Sequence, residues 1–339
     1  MNKHFTLFTK EKRATYVSSR QDLDLMDGLE SEDTSISFAQ AIEVCEDLDK
    51  ISELRTKYMI IGIPEDIGVR ANMGRVGASE AWDAFLKSFM GLQQTTLNDG
   101  SRFCVLGQVT TNDLMSQAHD LDSSIPRERK QLSDLVKLLD QRVSDITSLI
   151  IAAGKIPIVV GGGHNNSYPL LRVCGYSTPV DCINIDAHTD LRASKGRHSG
   201  NGFSHAIQEG YLKNYYMMGI QENYLSQPMI DFIDANERIN YVSYTNGSKD
   251  VTQEVQKAMK HINSNNFALE IDMDVVAHFP SSAQSPVGYL FQELRVVINE
   301  ILNQAQEFPK YIHICEAAPR YGYDNHVGKA LATLVNDLP

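Results

Sequence analysis

The chain is poor in several things that would narrow its class. Its 339 residues include one tryptophan and five cysteines, and no two cysteines form a Cys-x-x-Cys pair. The scattered, odd set (Cys45, Cys104, Cys174, Cys182, Cys315) offers no disulfide framework and fits reduced thiols in a cytoplasmic protein, the expected location. Cys182 and Cys315 fall in apolar runs, where a small buried hydrophobe is expected rather than a nucleophile. Basic residues are in deficit. With 31 Lys and Arg against 43 Asp and Glu, the net charge is −12, which argues against nucleic acid or an anionic membrane as partner. No apolar run approaches a membrane span, and residues 1–13 lack the apolar segment of a signal peptide. The remaining composition, 42% hydrophobic and 22% charged, is that of a globular protein long enough to build a sizeable core.

What the chain does have is a recurring pattern from residue 58 onward. Short apolar runs stand at 58–63, 156–160, 182–185, 215–220, 239–242, 267–271 and 311–315. Segments of helical periodicity lie between several of them. The clearest is 130–153, where Leu132, Leu135, Val136, Leu139, Val143, Ile146 and Ile150 share one face. Gly154 follows as a C-terminal stop, with Pro157 just beyond. Near-continuous apolar strands alternating with amphipathic helices predict a mostly parallel sheet covered on both faces. Residues 1–50, with an acidic, Ser-rich stretch at 22–37, read as an N-terminal appendage with short helices; 51–339 reads as the main domain.

In such sheets ligands bind beyond the carboxyl ends of the strands. The run at 182–185 ends in Asp186-Ala187-His188-Thr189-Asp190. Strand side chains alternate faces, so Asp186, His188 and Asp190 share a side. Three ionisable groups together are costly to bury unless a cation neutralises them. A polar surface turn fits the same five residues. The run at 156–160 enters Gly161-Gly162-Gly163-His164, with no Lys-Ser/Thr to make it a phosphate loop. The run at 267–271 enters Asp272-Met273-Asp274, and that at 311–315 enters Glu316. Four strand ends carrying two His and five carboxylates exceed the needs of one cation, and shared carboxylates can bridge two.

The ordered Gly-Gly-x-His, Asp-Ala-His-x-Asp and Asp-x-Asp blocks resemble the ureohydrolase (arginase and agmatinase) family from Tyr58 to the C-terminus. Residues 62–78 are similar to the family's N-terminal strand and loop. Gly163 before His164, Arg192 after Asp-Ala-His-Thr-Asp-Leu, and Ser199-Gly200-Asn201-Gly202-Phe203 resemble its formimidoylglutamase branch. The resemblance implies a three-layer αβα fold with a central eight-stranded, mostly parallel sheet and two Mn2+ ions. One ion would take His164, Asp186, Asp190 and Asp272; the other Asp186, His188, Asp272 and Asp274. It further implies hydrolysis of a C–N bond in a linear amidine, N-formimidoyl-L-glutamate, as in histidine catabolism, with Asp190 and Glu316 catalytic. Arg192, Ser199, Asn201 and His198 would contact substrate, and a homo-oligomer, trimer or hexamer, is implied. A guanidine substrate (arginine, agmatine or a guanidino acid) and a catalytically silent binding subunit are the alternatives. The family's arginases and agmatinases carry a catalytic His in the loop after Asp-x-His-x-Asp; here His198 and His205 flank the segment, and spacing does not choose between them.

Overall fold

The computed structural model describes residues 3–17, 36–245, 250–262 and 265–339. The apolar runs become strands, joined by two more: β1 (Phe5–Leu7), β2 (Tyr58–Gly62), β3 (Phe103–Val109), β4 (Ile156–Val160), β5 (Val180–Ile185), β6 (Leu212–Ile220), β7 (Ile239–Ser243), β8 (Phe267–Asp272) and β9 (Ile312–Cys315). The central ones are buried on both faces, and the edge strands β1 and β7 are partly exposed. They form one sheet in the order β1-β3-β2-β4-β9-β8-β5-β6-β7. Eight run parallel, and β1 closes one edge antiparallel to β3.

Alternation along each strand feeds two apolar layers. Ile60, Val160, Ile185 and Ile271 pack with helices Ala81–Met90, Val251–Ile262, Phe291–Gln304 and His326–Asn336. Met59, Ile61, Val159 and Cys182 face the other way, onto helix Pro126–Ala152. The result is the three-layer αβα sandwich. The long helix begins a turn before the apolar periodicity does, because Pro126 occupies its first turn, where a missing N–H costs nothing. It ends as expected, with Gly154 at φ +70°.

Two strands, β1 and β3, escape the reading of apolar runs. β3 contains Gly107, and the reason is β1: a Cβ there would lie 2.1 Å from the Thr6 carbonyl oxygen, at φ +142°. Only glycine admits so close a neighbour. The described part of 1–50 therefore packs onto the sheet, with Phe8, Phe38, Ala39 and Ile42 in the core. The acidic stretch at 22–37 lies almost wholly outside the described residues. Among the described residues no helix is long and apolar enough to cross a membrane.

Candidate metal centre

Strands β4, β9, β8 and β5 are consecutive neighbours at the middle of the sheet and run parallel, so their carboxyl ends open on one edge. That edge gathers every residue expected to ligate a metal. His164 Nδ1 lies 3.2 Å from Asp186 Oδ2, 3.0 Å from Asp190 Oδ2 and 3.2 Å from Asp272 Oδ2. His188 Nδ1 lies 2.9 Å from Asp274 Oδ2 and 3.7 Å from Asp186 Oδ1. Two overlapping clusters result, each with its ligand atoms within 4.8 Å of one another, and Asp186 belongs to both.

The polar-turn reading of these strand ends also holds locally. Asp186 Oδ1 accepts from the His188 backbone N–H at 2.6 Å, and Asp272 Oδ1 from that of Asp274 at 2.8 Å. Each turn ties down one carboxylate oxygen and leaves the other facing the cluster, so the two features coincide. His164, Asp186, Asp272 and Asp274 are buried. His188 and Asp190 side chains keep 30% and 14% exposure, which makes them the wall open to solvent.

A divalent cation fits this arrangement on the structure's own terms. Both His164 nitrogens and Asp274 Oδ1 are buried without a hydrogen-bond partner. Burial, followed by the charges of Asp274 and Asp186, pushes the Asp272 carboxyl well above its usual range. Crowded buried carboxylates of this kind are relieved by a positive ion. An oxygen-rich donor set with a minority of imidazole suits a hard ion such as manganese.

Side chains beyond the expected set hold the cluster. Glu65, fully buried, accepts from the backbone N–H groups of Gly163 (3.0 Å) and Ile67 (2.7 Å) and from the Asn166 side chain (2.7 Å), fixing the Gly-rich turn. Asn184 donates to Asp186 Oδ2 at 3.0 Å and is in turn 2.8 Å from the Tyr215 hydroxyl. Phe203 stacks on Tyr215 and sets its edge against the His164 ring. Glu270 lies beneath His164 with Tyr311 and His313. The signal for Glu270 and Asn184 was present, since each stands two residues before a ligand, Asp272 and Asp186, on the same strand face; Glu65 gave none beyond polarity near a strand.

Glu316 adjoins the cluster in the left-handed region, at φ +61°. It accepts from the His164 backbone N–H at 2.8 Å and from the Ser282 hydroxyl. Burial pushes its carboxyl up to about 8. Gly163 has little room for a side chain: a Cβ would meet Asn165 Oδ1 at 2.6 Å, Val69 Cγ2 at 2.7 Å and Glu316 Oε1 at 3.3 Å, so its neighbours would have to shift.

The expected substrate contacts divide. Arg192 and His198 line a cavity of about 580 Å³ together with Asn72, Arg129 and Lys195. His198 is held neutral, pushed down to about 4 by burial and then by the cations Arg192 and Arg197. Ser199 accepts from Asn72 Nδ2 at 3.2 Å, joining the 62–78 loop to the 193–201 loop. Asn201 does not offer itself to a substrate. Its Oδ1 accepts from Arg197 (3.0 Å) and the His198 N–H (3.1 Å), and its Nδ2 donates to the Ala193 and Gly196 carbonyls. It serves the loop because both ends of its amide are already taken. His205 Nε2 bonds the Gly196 carbonyl at 2.8 Å and its ring packs on Tyr168, so it too belongs to the loop. Arg197 was not anticipated: it pairs with Asp140 on the long helix at 2.9 and 3.1 Å and donates to the Asn165 carbonyl at 2.8 Å.

Comparison with known proteins follows the same lines. A model described as the arginase family matches residues 56–338. A formimidoylglutamase of Staphylococcus aureus is 25% identical over 304 residues, covering 86% of this chain and 89% of its own. Trypanosoma cruzi formiminoglutamase, solved with Mn2+, superposes with a TM-score of 0.68 at 19% identity, over 89% of this chain and 97% of its own. Proclavaminate amidino hydrolase from Streptomyces clavuligerus gives a TM-score of 0.63 at 18% identity, over 83% and 89%. These structures share the fold.

Proposed function

Because the chain belongs to the arginase family, we propose that it is a binuclear-manganese hydrolase of a linear amidine, converting N-formimidoyl-L-glutamate and water to L-glutamate and formamide. The observation that carries this reading is the six-residue cluster at the ends of three strands in the middle of the sheet, β4, β8 and β5, with Asp186 in both halves. His164, Asp186, Asp190 and Asp272 would hold one ion, and Asp186, His188, Asp272 and Asp274 the other. Bound there, the ions supply Lewis acidity that brings the pKa of water toward neutrality.

This chain's own groups do the rest. Asp190 sits at the solvent-facing wall, where its carboxylate takes the proton of the attacking water and delivers it to the departing glutamate nitrogen. Glu316, its carboxylate oriented by the His164 N–H and the Ser282 hydroxyl, pairs with the cationic amidinium. That positive charge returns a carboxyl displaced upward by burial to its ionised form. The cavity lined by Arg192 and His198 favours an acidic substrate. Arg129, Arg192 and Lys195 line it with Asp134 its one carboxylate, a cationic excess that suits the carboxylates of a glutamyl group and disfavours a cationic amine. Residues 51–339 would be the catalytic domain of a cytoplasmic homo-oligomer, a trimer or hexamer, acting in histidine breakdown.

Manganese-loaded protein incubated with formimidoylglutamate, arginine, agmatine and guanidino acids tests the reading. Formamide and glutamate are expected from the first. Urea from a guanidine, with formimidoylglutamate untouched, replaces the substrate; no turnover and no bound manganese refutes the enzyme.

A further inference from the structure

We propose that Glu270 is a positioning residue that sets the tautomer of His164 and thereby governs the affinity of one of the two metal positions and not the other. The inference rests on the manganese reading above. Glu270 is fully buried in the middle of β8, directly opposite His313 on β9. A carboxylate in the centre of a central parallel strand is costly unless donors converge on it. Two do, and a third group stands just outside bonding range. Tyr311 donates to Oε1 at 2.6 Å, His313 Nδ1 lies 2.6 Å from Oε2, and His164 Nε2 lies 3.4 Å from the same oxygen.

The His164 contact carries the chemistry. A neutral imidazole has one N–H and one lone pair. Its Nδ1 faces Asp186, Asp190 and Asp272 at 3.0–3.2 Å, so the lone pair must stand there if the ring is to ligate a cation. The proton then belongs on Nε2, and an acceptor must receive it in a region with no water access. Glu270 Oε2 is that acceptor; a shift of about 0.4 Å brings it into ordinary hydrogen-bond range. The other neighbour, Cys315, offers a thiol sulfur, a weak acceptor. A carboxylate behind a metal-binding imidazole also raises the basicity of the ligating nitrogen.

The effect is confined to one position. His188, the imidazole of the second cluster, meets carboxylates only through Nδ1 among the described residues, and its ring stacks on Tyr224 at 4.7 Å. It has no counterpart of Glu270. Loss of the Glu270 charge should therefore separate the two positions.

Manganese binding to wild type and to Glu270→Gln, measured by metal analysis after equilibrium dialysis and by electron paramagnetic resonance, tests this. Wild type is expected to hold two ions and give the spectrum of an exchange-coupled pair. Glu270→Gln is expected to keep one ion tightly and bind the other ~10–100-fold more weakly, giving an isolated-ion spectrum at concentrations that saturate wild type. Its metal-free melting temperature should fall, since Tyr311 and His313 lose the carboxylate they converge on, while its circular dichroism at room temperature should match wild type and show that the fold is kept. Tyr311→Phe, which spares Oε2, should bind both ions within about threefold of wild type. Equal affinity of Glu270→Gln for both ions overturns the inference while leaving the manganese reading intact, and so does equal weakening of both positions. A wild type that binds no manganese overturns the manganese reading, and this inference with it.

Discussion

Removing the Asp140 carboxylate should destabilise the protein far more than its pairing with Arg197 stabilises it. Asp140 and Arg197 are each 3% exposed, and the guanidinium is bound at both Nε and Nη2 by the one carboxylate. Burial pushes the Asp140 carboxyl above its usual range even with Arg197 beside it, a sign that desolvation offsets most of the attraction. Asp140→Ala leaves Arg197 facing only the Asn201 and Asn165 oxygens and the Tyr168 ring, 4.5 Å away. An uncompensated buried charge costs about 3–5 kcal/mol. Urea unfolding followed by circular dichroism should show that loss. The double variant Asp140→Leu with Arg197→Met, which removes both charges, should recover most of it. If Asp140→Ala costs under ~1 kcal/mol, as an exposed pair does, the guanidinium reaches water and the reasoning is wrong.

Other consequences are as direct. Asp272→Asn should reduce bound manganese from two ions per chain to at most one by plasma mass spectrometry; an undiminished content refutes a shared ligand. Gly163→Asp should cost about 1–3 kcal/mol in urea unfolding, because its Cβ meets Asn165 and Val69 below 3 Å; wild-type stability would show that the turn has room. His198, pushed down from an ordinary 6.5 to about 4, contributes stability that is present above pH 6.5 and lost as pH falls through about 4. Nitrogen-15 NMR should find it neutral at pH 5.5 and should find its titration moved upward in Arg192→Ala. A titration near 6.5 in wild type contradicts the burial and the cationic surroundings.

The ligands were legible in the sequence because each block is local: Asp186, His188 and Asp190 follow one strand end and reach one edge, though through a turn with Asp190 at φ +48° rather than by continued strand alternation. The sheet was legible for a related reason, since strands buried on both faces are apolar at most positions, with single buried polar residues such as Asn184, Glu270 and His313 among them. β3 hid because Gly107 and Gln108 interrupt it, and Gly107 is explained only by a strand 100 residues earlier. Asn201 shows the limit of spacing, which places a residue near the site without saying which way its amide is spent. The Asp140–Arg197 pair joins a helix to a loop 57 residues on, and no local pattern announces it. Glu270 was readable by the same period of two as Asp272 and Asp274. A carboxylate in mid-strand looked like composition until Tyr311, His313 and His164 were in place around it.

The position of β9 bears on how the chain assembles. It is the last strand in the chain order and lies at the centre of the sheet, between β4 and β8. Until residues 312–315 are made, the molecule can form only two separate half-sheets, β1-β3-β2-β4 and β8-β5-β6-β7, each with an unpaired central edge. The metal-binding edge straddles that seam, with His164 on one half and Asp186, Asp190 and Asp272 on the other. Synthesis at about 5–20 residues per second leaves the seam open for several seconds after β8 emerges. A chain ending before β9 can gather Asp186, His188, Asp272 and Asp274 on the paired β5 and β8, but His164 joins them only when β9 closes the seam, so the two metal positions are completed in sequence. The same seam makes the half-made protein a natural client for chaperones, since two apolar edges wait on a four-residue strand.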